Sequence, residues 1–201
     1  MNIYDRISKM TDEPGTYDEK MYRILTSDKY ASGEYGNHEL GEGMEVVNQV
    51  ICGWWKPRFL LNHNLKTAYE CMWPNEQLAI VDEEHIDWES MKGLPEQAQA
   101  TLRNYSFRFP SFIKEYRNGI AEVQWQLIPD GRYWMDDDGY GMTGDVELNI
   151  YGFIDQKANI MSKFHYYTDK ELDSHILDKV RKQAETAIST TTNQNNIYKN
   201  K

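Results

Sequence analysis

The stretch Ile120-Ala121-Glu122-Val123-Gln124-Trp125-Gln126-Leu127 sets Ala121, Val123, Trp125 and Leu127 in strict alternation with Glu122, Gln124 and Gln126. A side-chain period of two is that of a β-strand with one buried and one wet face. Pro129-Asp130-Gly131 follows, and proline with Asp-Gly predicts that the strand stops or reverses there, with Arg132 to Met135 returning. Val146, Leu148, Ile150 and Gly152 alternate again with Glu147, Asn149 and Tyr151. After Asp155 to Asn159, Ile160, Ser162, Phe164 and Tyr166 share one side. The pattern predicts an antiparallel meander over about residues 105–167, led into by Phe107, Phe109 and Phe112.

Outside the meander the signals are helical. Thr16 with Glu19 reads as a capping box before the apolar positions Tyr17, Met21, Ile24 and Leu25, so a helix is expected to run to about Ser27. Residues 1–15 read as a loosely held arm, and Ala31 to Gly43, with four glycines, as a loop. Met44, Val47 and Ile51 have helical spacing and are read as a helix ending at Gly53, although Val46 and Val50 also suit a strand. A short strand is expected over Leu78 to Val81 and a helix over about Glu96 to Asn104. Thr168 and Glu171 form a second capping box, and Leu172, Ile176, Val180, Ala184 and Ala187 fall on one face of a helix to about Ile188. The polar residues 189–201 read as a disordered tail.

The expected fold is therefore α+β: one domain over 1–188, with a mainly helical and loop part at 1–104, the sheet at 105–167 and a helix at 168–188. A chain of 201 residues with 40% hydrophobic residues is long enough for one substantial core. A net charge of -10 argues against nucleic acid and anionic membranes as partners and favours a basic protein. With no membrane-length apolar run and no leader-like start, the expected location is cytoplasmic. Cys52 and Cys71 have no metal-ligand spacing and read as buried small hydrophobes, with a disulfide between them as the alternative. Trp54-Trp55-Lys56-Pro57-Arg58-Phe59 interleaves aromatic and basic residues, and core packing is the preferred account of its tryptophans.

Tyr151-Gly152-Phe153-Ile154-Asp155, with Phe164 and Tyr166 beyond it, resembles the second half of a WG repeat. Tyr116, Gly119, Ile120, Ala121 and Val123 resemble the half that precedes it. The likeness spans about residues 116–167 as a single unit, interrupted from about Trp125 to Glu147, with Ala158 where the family carries a turn glycine and Lys163 where it carries proline. It implies a binding or scaffolding role and brings no catalytic residues.

The richest chemistry lies in the interruption. Asp130, Tyr133, Trp134, Asp136, Asp137, Asp138, Tyr140 and Asp145 are the expected elements of an acidic, aromatic contact surface for a basic protein, in the manner of an inhibitor or immunity protein. Asp136, Asp138 and Glu147, with Gly141 at the sixth position, partly match a calcium loop; an exposed acidic hairpin loop without cofactor is the preferred account and calcium the alternative. Tyr140 and Thr143 depart from that pattern, and strands flank it instead of helices. His63, Glu70, His85 and Asp87 share an acidic neighbourhood without metal-site spacing, and His165 and His175 read as packed or flanking histidines. No nucleophile or catalytic base is legible; a hydrolase of sugars or small substrates built on carboxylates is the enzymatic alternative.

Overall fold

The computed structural model describes residues 3–10, 12–27, 35–51, 54–71, 86–94, 96, 99, 110–127, 132–136, 139–143 and 148–199. It is an α+β fold of two four-stranded antiparallel sheets with helices on their outer faces. The first sheet is a meander of β1 (Tyr35–Gly41), β2 (Met44–Ile51), β3 (Trp54–Asn62) and β4 (Thr67–Glu70). The second has the order β5 (Phe112–Ile113), β6 (Ile120–Leu127), β9 (Leu148–Asp155) and β10 (Ile160–Tyr166). Between β6 and β9, β7 (Arg132–Asp136) and β8 (Gly139–Thr143) pair only with each other among the described residues.

The N-terminal half is thus mainly strand, which corrects the helical reading. Met44 and Val46 enter the core between the sheets while Val47 enters the core under the N-terminal helices, so β2 is buried on both faces. Adjacent Val46 and Val47 buried on opposite faces break the period of two, and Met44, Val47 and Ile51 then mimic helical spacing. The expected loop at 31–43 likewise contains β1.

The arm at 1–15 also contains ordered structure. The helix α1 (Ile3–Ser8) buries Ile7 beside Met21, Ile24 and Leu25 of α2 (Tyr17–Leu25), over Val47, Phe59, Leu61 and Ala68 of the first sheet. Burying each of the larger side chains contributes about 1.5–3 kcal/mol. The Thr16–Glu19 capping box is present: Thr16 N–H donates to Glu19 Oε2 at 2.7 Å and Glu19 N–H to Thr16 Oγ1 at 3.3 Å. Tyr17 stays half exposed, off the apolar face expected for it. The register slips between the Val47/Phe59 and Asn48/Pro57 pairs, leaving Arg58 as an extra residue. Proline cannot donate to the ladder, so the bulge falls beside it. Arg58 Nη2 lies 2.7 Å from Glu70 Oε1 and also donates to the Tyr4 hydroxyl, which in turn donates to Glu70. This knot ties α1 to the sheet.

The main core lies between the sheets, where Leu40, Met44, Val46 and Leu60 face Ala121, Val123, Trp125, Ile150, Ile154 and Phe164. The opposite face of β6 is less wet than its alternation predicts. Glu122 is buried, with its Oε1 2.6 Å from Lys114 Nζ, and Ile120 and Phe153 are covered by α5 (Ile176–Lys199). The second capping sequence starts only α4 (Asp169–Asp173), after which His175 has φ 58°, a left-handed conformation that breaks the helix. The break shifts the helical phase, so the buried row becomes Leu177, Val180, Ala184 and Ile188 in place of the one that began at Leu172 and Ile176. The helix then continues to Lys199, so the tail expected to be disordered at 189–201 is helical over 189–199.

The two sheets repeat one design. In both, the first turn contains left-handed residues: Gly41, Glu42 and Gly43 in one, Asn118 and Gly119 in the other. In both, an Asx residue closes the third strand and holds the next turn. Asn62 Oδ1 accepts from Asn64 and Leu65 N–H at 3.1 and 3.0 Å, and Asp155 Oδ1 accepts from Lys157 and Asn159 N–H at 2.8 and 2.9 Å. Each turn then places a left-handed residue, Lys66 or Ala158. All four turns meet at one end of the sandwich. Glu42 Oε2 accepts from Gly119 N–H at 2.9 Å and from Gln156 Nε2 at 3.1 Å, and Asn62 Nδ2 donates to the Gln156 carbonyl at 3.3 Å.

Candidate functional site

The designs differ at the opposite end. In the first sheet the second and third strands close at the pair Ile51↔Trp54, with only Cys52 and Gly53 between them in sequence. In the second sheet the corresponding strands close at Leu127↔Leu148, with residues 128–147 between them. That segment carries six carboxylates against one arginine, a net charge of -5 in a chain whose total is -10. About a tenth of the residues thus holds half of the net charge.

Within the segment, β7 and β8 pair without a register shift: Arg132 with Thr143, Tyr133 with Met142, Trp134 with Gly141, Met135 with Tyr140 and Asp136 with Gly139. Arg132 to Met135 was expected to return along the preceding strand; it pairs with β8 instead. Of the residues expected to form the contact surface, Tyr133, Trp134 and Asp136 lie on β7 and Tyr140 on β8. The glycines opposite Trp134 and Asp136 present no cross-strand side chain. Asp130, Asp137, Asp138, Asp145 and Glu147 lie outside the described residues, and with them most of the proposed calcium ligands. The expected strand at 78–81, most of the helix at 96–104 and Cys52 also lie outside them; Cys71 is free and buried.

Near the base of the segment the outer face of the second sheet carries a row of paired residues. Phe112 pairs with Gln124, Gln124 with Tyr151 and Tyr151 with His165, one residue from each strand. Phe112 is exposed and Gln124 Nε2 donates to Asn149 Oδ1. His165 stacks on Tyr167, ring centroids 4.2 Å apart, and its Nδ1 lies 2.9 Å from Asp87 Oδ2. Asp87 Oδ1 accepts from Glu89 and Ser90 N–H at the start of α3 (Trp88–Met91). Burial alone would raise the Asp87 carboxyl; hydrogen bonds from His165 and from the Ser90 and Glu89 backbone outweigh it and hold it below the ordinary carboxylate range. Burial and then the Asp87, Glu171 and Glu122 carboxylates push the Tyr167 phenol above its ordinary value.

Sequence reasoning missed this pair. Asp87-x-x-Ser90 is a legible helix cap, but Asp87 and His165 stand 78 residues apart. Of the acidic neighbourhood at 62–88, His85 lies outside the described residues, and the fold separates His63, Glu70 and Asp87. Glu70 meets Arg58, Asp87 meets His165, and His63 Nε2 lies 2.6 Å from Glu45 Oε2 with its Nδ1 2.9 Å from the Tyr22 hydroxyl. His175 is exposed at the helix break, 3.6 Å from Asp178. Among the described residues no three His, Cys, Asp or Glu side chains converge as metal ligands, and no helix is long and apolar enough to cross a membrane.

Comparison with family models, with curated proteins and with solved structures gives no match to this chain.

Proposed function

We propose that this chain is a binding module for a basic protein, and that its recognition element is the acidic, aromatic segment at 128–147. The observation that carries this reading is the unequal pair of meanders. Two sheets share one strand order and one turn chemistry, and one of them closes its central hairpin with two residues where the other carries twenty, counting 128–147. A like sheet closes its central hairpin without such a segment, and loops carried on a rigid scaffold are where function concentrates. Its charge would steer a cationic surface, while tyrosine and tryptophan are favoured anchors. An inhibitor that masks its partner's basic site is the specific form of this reading.

The test replaces residues 128–147 by Asn-Gly, the dipeptide favoured in a tight hairpin. Both proteins should unfold cooperatively. Immobilised side by side, the full chain should retain a basic protein from lysate of the source cells, and the shortened chain should not. Identical captured sets would exclude the segment as the recognition element.

A further inference from the structure

We infer that the edge of β8, Gly139 to Thr143, receives an extended basic segment of the partner as a third strand, an inference that rests on the binding reading above. A two-stranded hairpin is marginal in water, and its outer edges present unpaired N–H and C=O groups that template another strand. Among the described residues neither β7 nor β8 pairs with any other strand. Soluble proteins protect such edges with charge, proline or a bulge. Arg132 and Asp136 bracket β7, whereas β8 reads Gly-Tyr-Gly-Met-Thr, with no charge and no proline, and the five pairs run without a bulge.

Charge decides the occupant. A second copy laid along β8 would bring two segments of net charge -5 together and be opposed by repulsion. A strand with lysine or arginine at alternate positions is instead attracted by the segment's net charge of -5, and main-chain hydrogen bonds supply affinity as in other strand additions.

The probe is a peptide of alternating lysine and valine, with a twin methylated at each internal backbone nitrogen. The twin keeps the charge and loses the donors. The parent should bind the full chain and slow amide exchange at residues 139–143, and methylation should weaken binding by about tenfold or more. Equal affinity of the two peptides would overturn strand addition while leaving charge-based binding by the segment intact. Parent binding that survives replacement of 128–147 by Asn-Gly would overturn both readings, and so would no binding at millimolar peptide. Sedimentation of the full chain should give a monomer; a dimer that dissociates when the segment is replaced would make a second copy the occupant and overturn the assignment.

Discussion

A Cβ placed on Gly152 would fall 2.5 Å from the Phe164 ring, well inside the 3.0 Å that Cβ atoms keep from their neighbours. Phe164 is fully buried and packs edge-on against Trp125, with centroids 4.2 Å apart. The glycine is therefore needed for close approach of β9 to the ring, not for backbone freedom. Gly152→Ala should cost about 1–3 kcal/mol, the usual range for overpacking a dense core. Urea denaturation measures it, and a loss below about 0.5 kcal/mol would mean that the ring has room to move.

Asn62 is buried and both ends of its amide are bonded: Oδ1 holds the β3–β4 turn and Nδ2 reaches the Gln156 carbonyl beyond β9 of the other sheet. Asn62→Ala strands the partners, and leaving buried groups unsatisfied costs about 1–3 kcal/mol. Asn62→Asp keeps the turn acceptor but exchanges the donor to Gln156 for a buried carboxylate, whose desolvation opposes the retained contacts at neutral pH; protonated in acid, it should recover part of the loss. Equal melting temperatures for the two variants in acid would show that the turn contacts contribute nothing.

Asp87 gives the fold an acid sensitivity of definite sign. Its carboxyl is held below the ordinary range in the folded protein. The stabilisation is therefore present above the unfolded-state pKa and is lost as pH falls through the lowered folded-state value. Asp87→Asn keeps a good helix-capping residue but no longer titrates. The stability advantage of the natural protein over this variant should be constant near neutrality and shrink on acidification. Urea midpoints collected from about pH 7 to pH 3 that fall in parallel for the two proteins would remove Asp87 from the account. Its side chain is about a third exposed, so solvent moderates the effect.

Some of this architecture is local and was readable as such. Thr16 with Glu19 and Thr168 with Glu171 announce helix starts because the bonds they make close within one turn. The alternation at 120–127 and 148–155 announces strands because α5 covers only part of their outer face and leaves polar residues there. The β2 strand was read as a helix because Val46 and Val47 are both buried, one by the second sheet and the other by α1 and α2, which the residues alone do not show.

What the sequence by itself determined is the α+β class, the antiparallel strands of the second sheet, both capping boxes and the concentration of negative charge at 128–147, all functions of residues adjacent along the chain. Only the tertiary structure decided that the N-terminal half is a second sheet of the same order, that Glu122 is buried beside Lys114 and that Asp87 meets His165. It also decided that 128–147 stands where the first sheet needs two residues. These relations join residues far apart in the chain, and their free energy comes from burial and pairing that exist only once the sheets have met.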